Sequence, residues 1–452
     1  LIFAFTFAQA AVVANSSQTM ASAEQPLKDP RESLPEITRA AIDYEESQWS
    51  NGSVLNDPFY IVPKGSAEAA PGTLLKVEKD VNTSTYTLPP ATALSRIIFQ
   101  SKTLNGSSVP ASGYILWPYS ARTLSDGFAV VVWTHGTSGI GPNCAPSNIR
   151  NLHQHFLAPY QLALQGYVVV APDYAGLGVG KDESGRPIAH EYLATQSQAN
   201  DVFYSMQAAQ TAFPELSKHF VVIGHSQGGG VAWACAQRQA VEPVHGYLGA
   251  VAVSPLARAL EQPEPTLSLI GVSMIPSISA AYPEFKPEEI LTAEGQQRLD
   301  LTRQIGGCIA SSASLLVGGQ LLKPGWTENT FVQKFQDLVM NGGKKIQGPL
   351  LVIHGEVDPQ LSVNVTTNAV NKTMELFPSS QLEYVRLPGV SHVPALNAAQ
   401  RLWMDWIAER FANVAPKPYC KGVELVSARP TTSYQPELNW FIGLATAFYQ
   451  TV

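Results

Sequence analysis

Apolar residues along this chain come in short uninterrupted runs that end in glycine-rich or polar turns, separated by longer stretches of mixed pattern. The runs at 128–133, 166–171, 220–224, 246–253 and 349–355 have the length of single strands and no polar face, and 381–387 is a further strand-length run that carries Gln381, Glu383 and Arg386. A strand that is apolar on both sides is buried on both sides, as in a parallel sheet covered by helices. The stretches between them read as helices: one ending near 165, then 191–211, 231–237, 361–376 and 395–411. Strand and helix recurring at this spacing predict an α/β fold with a mostly parallel, doubly wound sheet. Ahead of it, strands at 95–100 and 112–117 joined across Asn105-Gly106 predict a hairpin. Residues 15–70 show no sustained period and are expected to wrap irregularly over the surface.

One interval breaks the alternation. Residues 257–346 separate two strand runs by far more than a connecting loop, so they form an inserted element with helical stretches such as 293–303. The expected organisation is a wrap over 23–92, a core over 93–256 and 347–411 with the insert between, and a tail over 412–452. Residues 1–14 are apolar and end in small residues, with Ala8 and Ala10 spaced as at a cleavage site, so residues 1–22 read as the remnant of a secretory signal peptide.

Composition narrows the function classes. With 45% hydrophobic and 14% charged residues the chain can bury a large core. A net charge of -7 and a pI near 5.8 give no footprint for nucleic acid or an anionic membrane. No later apolar run is long enough to span a bilayer. Sequons at Asn15, Asn51, Asn82, Asn105, Asn364 and Asn371, with the signal-like start, predict a secreted, extracellular protein, and the last five are the candidate glycosylation sites. Four cysteines permit one or two bridges. A monomer is expected.

The candidate chemistry gathers at strand ends. The run 220–224 leads into Gly224-His225-Ser226-Gln227-Gly228, a Gly-x-Ser-x-Gly turn followed by helix formers. A serine on such a strand-to-helix turn stands above the sheet edge as a candidate nucleophile, and the helix aims free amides at a developing oxyanion. A hydroxyl needs a base to take its proton and an acid to orient that base. His354-Gly355-Glu356-Val357-Asp358 follows one later strand and Gly389-Val390-Ser391-His392 the next. These predict Asp358 as the acid, with Glu356 as alternative, and His392 as the base. The backbone amide of Gln227 and that of Thr137, in the glycine-containing loop after the 128–133 strand, are the expected oxyanion donors. His153 and His155 read as a solvated helix face rather than half of a metal site. No metal or other cofactor is expected.

With these residues assembled, the chain resembles the fungal secretory lipases of the yeast lipase A type, within the α/β-hydrolase superfamily. The likeness runs from about residue 71 to 420 and rests on Pro71-Gly72-Thr73, Asn143-Cys144-Ala145-Pro146-Ser147, Gly166-Tyr167-Val168-Val169, the serine turn, and Ala293-Glu294-Gly295-Gln296 leading to Gly307-Cys308. It implies the α/β-hydrolase fold, hydrolysis of carboxylic esters, Asp358 and His392 at the family's acid and base positions, and residues 257–346 as a helical cap or lid over the site. It also implies a disulfide between Cys144 and Cys308. The chain departs from the family's pattern in carrying His225 where the family has tyrosine, in reading His135-Gly136-Thr137 where an acidic residue is usual nearby, and in placing Met374 roughly where Cys420 would find a partner. The states of Cys235 and Cys420 stay open.

Three functions fit this pattern: a secreted serine esterase or lipase, a serine peptidase of the same fold, and a binding protein that keeps the fold without the chemistry. The insert's Ser/Ala/Leu-rich composition disfavours the peptidase, which needs a polar anchor for a peptide end, and the presence of all three candidate residues disfavours the binding protein. Segments 267–281 and 310–322 interleave apolar residues with serine and glycine, which suits short-to-medium acyl esters, acetylated secondary metabolites among them, over long-chain triglyceride at an interface.

Overall fold

The computed structural model describes residues 30–417, 422–435 and 445–450. The signal-like start, Asn15 and Cys420 lie outside the described residues. The strands are β1 (Leu74–Glu78), β2 (Thr92–Lys102), β3 (Ser108–Pro118), β4 (Thr123–Leu124), β5 (Gly127–Thr134), β6 (Val168–Pro172), β7 (Leu216–His225), β8 (Tyr247–Val253), β9 (Leu350–Gly355), β10 (Leu382–Leu387) and β11 (Val423–Glu424). They form one sheet in the order β1-β2-β3-β6-β5-β7-β8-β9-β10-β11, with β4 beside β5. Pairing is antiparallel from β1 through β3 to β6 and parallel from β6 onward. The chain passes from β5 to β6 on one side and returns to β7 on the other. Such a reversal opens a crevice at the strands' carboxyl ends, where open α/β sheets bind ligands.

The apolar runs form central strands because alternate residues serve opposite faces. Val130, Val132, Phe220, Val222, Leu350 and Val352 point into one core cluster, which holds the helices Thr195–Ala212, Gln227–Gln239 and Val363–Leu376. Val131, Trp133, Val221, Ile223, Leu351 and Ile353 point into the other, with the helices Pro159–Leu164 and Gln400–Phe411. Registers such as Val131↔Val221 keep each set on its own face. Each large side chain buried this way contributes about 1.5–3 kcal/mol.

Three sequence expectations need correction. Residues 23–92 are not an irregular wrap throughout: they contain the helix Glu36–Ser47 and strand β1. That helix buries only Thr38, Ala41 and Ile42, one narrow stripe among polar residues, so no sustained period announced it. The expected helix over 395–411 is two helices, Pro394–Ala398 and Gln400–Phe411. His153 and His155 do not form a solvated helix face; Leu152, His153 and Gln154 form a left-handed run with φ of 56°, 46° and 53°, and both histidines are half-buried.

Between β8 and β9 the chain leaves the sheet and forms the helices Thr266–Ser273, Ile275–Ala281, Ala293–Gln304, Ile309–Leu315 and Thr330–Val339. Their apolar side chains, Ile270, Ile275, Ile278, Leu299 and Phe335 among them, share one core cluster with Tyr192, Leu193, Leu256 and Leu361. Leu256 follows β8 and Leu361 lies in the loop after β9, so this segment packs on the edge where the crevice opens.

Candidate active site

Strand β7 ends at His225, and Gln227 begins the next helix, leaving Ser226 alone in the turn with φ 60° and ψ -120°. A side chain is strained there by about 1–3 kcal/mol, and such strain persists only where surrounding structure enforces it. Here the enforcement is visible. The Ser226 amide donates to Val253 O at 3.0 Å, and its carbonyl accepts from Gly230 N at 3.0 Å and Leu256 N at 3.1 Å. A Cβ at Gly224 would strike Thr134 Oγ1 and one at Gly228 would strike Thr134 O, so only glycine lets the turn sit against β5. The Ser226 side chain remains half-buried.

The loops after β9 and β10 bring Asp358 and His392 together: His392 Nδ1 donates to Asp358 Oδ2 across 2.6 Å. The other carboxylate oxygen accepts the Gln360 and Leu361 amides at 2.8 and 2.9 Å, so Asp358 both organises its loop and faces the imidazole. His354 Nε2 lies 3.2 Å from Asp358 Oδ2 while His354 Nδ1 meets Thr366 Oγ1 at 3.0 Å. Burial raises the Asp358 pKa, but the adjoining charge of His392 and the hydrogen bonds from His354 and His392 outweigh it and hold the carboxyl far below the ordinary range. Glu356, the alternative acid, points elsewhere and pairs with Arg386 at 3.0 Å.

The residue before Ser226 reaches this pair, since the rings of His225 and His392 lie 4.6 Å apart. No hydrogen bond joins Ser226 Oγ to His392 among the described residues; bonds of this kind commonly tighten only when substrate is present. Gln227 is buried at the first position of its helix, where a backbone amide has no intrahelical acceptor. Thr137 lies in the loop after β5, its hydroxyl 3.0 Å from Tyr192 Oη. The neighbouring Gly136 amide is already engaged with Gln154 Oε1 at 2.8 Å.

The same loop is tied to the segment between β8 and β9. Cys144 and Cys308 form a disulfide across 164 residues, Gly139 forms an isolated bridge with Cys308, and Ile309 N donates to Ser138 O at 2.9 Å. Cys235 is a buried free thiol whose pKa burial pushes above the ordinary value. Of the sequons, Asn51, Asn82, Asn105 and Asn364 are exposed and Asn371 is half-buried. Among the described residues no group of three or more His, Cys, Asp or Glu side chains could hold a metal ion, and no helix is long and apolar enough to cross a membrane.

Sequence reasoning missed several neighbours of the site. Gln154 and Tyr192 carry no motif and reach it only through the fold, whereas His354 lay in view one residue before a noted glycine.

Comparison with known proteins gives a consistent picture. A family model described as "Alpha/beta hydrolase family" matches residues 131–403. Lipase 5 of Candida albicans is 22% identical over 409 residues, covering 82% of this chain and 84% of the relative. Among solved structures, Candida antarctica lipase A in its closed state superposes with a TM-score of 0.70 at 15% identity, over 83% of this chain and 90% of that one. The rice cell wall degrading esterase of Xanthomonas oryzae gives 0.58 at 17%, over 75% and 100%. At such identities the two superpositions speak for the fold.

Proposed function

The chain belongs to the alpha/beta hydrolase family, with a likeness to fungal lipases of the A type, and from that premise we propose that it is a secreted serine carboxylester hydrolase acting through an acyl-enzyme on Ser226. The observation that carries the reading is the 2.6 Å bond between His392 and Asp358, held beside a serine on a strained strand-to-helix turn. In the proposed reaction His392 takes the Ser226 proton as Oγ attacks the ester carbonyl, and the oxyanion settles against the amides of Gln227 and Thr137. The C–O bond to the alcohol breaks as His392 returns the proton to it. Water, deprotonated by His392, then attacks the acyl-enzyme, and as the C–O bond to Ser226 breaks His392 returns that proton to Oγ and the acid is released. Asp358 holds the imidazole with Nε2 toward the serine and offsets its positive charge. No cofactor is required.

The segment between β8 and β9 is read as the cap. A cavity of about 400 Å3 opens between its helices Ile275–Ala281 and Ala293–Gln304, with Ile275, Leu299, Ser279 and Gln296 in the wall. Ala189 completes that wall from the loop that carries Tyr192, the partner of Thr137. None of Ser226, His392, Gln227 and Thr137 lines this cavity, so the short-to-medium acyl reading rests on the serine- and glycine-interleaved segments 267–281 and 310–322 of the cap. Secretion and glycosylation draw support from the sequons and the Cys144–Cys308 bridge, a bond of oxidising compartments.

A fluorophosphonate probe tests the central claim. Wild type should be labelled on Ser226 and lose ester hydrolysis in proportion, and Ser226→Ala should do neither; labelling that persists in Ser226→Ala removes the proposal.

A further inference from the structure

His225 is adjacent to the candidate nucleophile yet faces away from solvent, and its two ring nitrogens are both engaged. Nε2 lies 3.2 Å from the His392 carbonyl oxygen, which can only accept, so the proton is on Nε2. Nδ1 must then accept, and the Gln154 amide nitrogen stands 3.4 Å from it. The other end of the same amide, Oε1, accepts the Gly136 N–H at 2.8 Å. Every donor and acceptor in this sequence is fixed: Gly136 N–H to Gln154 Oε1, Gln154 Nε2–H to His225 Nδ1, His225 Nε2–H to His392 O. The direction closes only with a neutral imidazole, and burial, then the neighbouring His392, lower the His225 pKa to about 3.

Two further features belong to the same arrangement. Gln154 is delivered by three consecutive non-glycine residues in the left-handed region, Leu152, His153 and Gln154, a strained run that also sets the His153 ring against that of His135. Gly136 is required by it, because a Cβ there would come within 2.8 Å of Gln154 Nε2. His392 O also takes a bond from Ser254 Oγ at 3.2 Å, so the backbone of the candidate base is pinned from two sides.

We propose that Gln154 and His225 are positioning residues: a hydrogen-bonded bridge that fixes the Gly136–Thr137 loop and the His392 backbone relative to one another. The inference rests on the reading of Ser226, His392 and Thr137 given above. Neither residue touches substrate. The bridge sets the distance between the point where the oxyanion is held and the point where the proton is taken, and a misplacement of about 1 Å there costs roughly a hundredfold in rate.

The test is a double-mutant cycle on a soluble butyrate ester, with Gln154→Leu, His225→Phe and both together, and with Ser226 labelling and thermal unfolding measured in parallel. Each single variant should lower kcat by about ten- to a hundredfold, with KM within about twofold. The double variant should be no slower than the worse single one, because either change breaks the same bridge. His225→Gln, which restores a donor toward His392 O, should recover much of the loss. Additive losses, an unchanged kcat in a folded Gln154→Leu, or equal rates for His225→Phe and His225→Gln would overturn the bridge. If Gln154→Leu does not fold, the last comparison decides alone. A wild type without Ser226 labelling would instead overturn the serine hydrolase reading.

Discussion

Glu45 and Cys308 stand 263 residues apart, and the amide of Cys308 donates to the Glu45 carboxylate at 3.0 Å. Glu45 also accepts the amides of Ala310 and Ser311 at 2.7 and 3.1 Å and the Ser311 hydroxyl at 2.7 Å. A side chain of the N-terminal helix thus satisfies the free amides at the start of helix Ile309–Leu315, directly after the disulfide. Burial raises the Glu45 pKa, against the hydrogen bonds, so the site holds its charge at some cost. Residues expected to wrap irregularly over the surface therefore anchor the segment between β8 and β9.

Removing that carboxylate should expose the cost. Glu45→Ala leaves buried amides without an acceptor and is expected to destabilise the fold by about 1–3 kcal/mol. Glu45→Gln, which keeps one acceptor oxygen, should lose less. Chemical denaturation of the three proteins checks the order; equal midpoints contradict it.

Asp358→Asn should lower kcat by about three to four powers of ten with little change in KM, because an amide no longer fixes the imidazole tautomer. Glu356→Gln should leave turnover within about twofold of wild type, since Glu356 pairs with Arg386 rather than His392. Steady-state kinetics on one soluble ester decide between the two carboxylates.

Acid should unfold this protein early. Burial lowers the pKa of His135, His155 and His190 to about 4 and that of His153 and His225 to about 3. Folded, these groups stay neutral while the unfolded chain protonates them below about 6.5, so the stability they confer is full above that pH and is lost as pH falls toward 4. Burial raises Asp173 to about 6 and Asp201 to about 7, which acts in the opposite sense because the folded state then holds those protons first. Five histidines against two aspartates leave roughly three protons taken up on unfolding between pH 6 and 4, or about 4 kcal/mol per pH unit. Glu45 and Glu191, also raised by burial, trim this near the lower end. Tm measured from pH 7 to 4 should fall steeply; a flat or rising Tm is the contrary result.

The acyl preference should follow the mixed apolar and serine-rich composition of the segments 267–281 and 310–322. Rates on soluble p-nitrophenyl esters should peak at short-to-medium chains and exceed those on emulsified trioleate, as each buried methylene adds about 0.8 kcal/mol only while the wall extends. A jump in rate above the solubility limit with oleate preferred would identify an interfacial lipase.

The sequence by itself determined the elements whose signals are local. Continuous apolar runs gave the central strands because both faces are buried, and the hairpin followed from Asn105-Gly106 between alternating segments; the observed β2–β3 register closes around that turn. Gly224-x-Ser226-x-Gly228 specified its turn because the close approach of Thr134 leaves no room for a side chain on either flank. For the candidate site it supplied an order, serine then acid then base at successive strand ends, but not which carboxylate meets His392. That choice, the docking of Glu45 beneath Cys308, the partial burial of His153 and the bridge from Gly136 through Gln154 to His225 were decided only in three dimensions. Each joins groups far apart in the chain, and their meeting depends on strand order and on the reversal between β6 and β7. A hydrogen bond between distant residues leaves no period or spacing behind it, so only the assembled sheet could pair them.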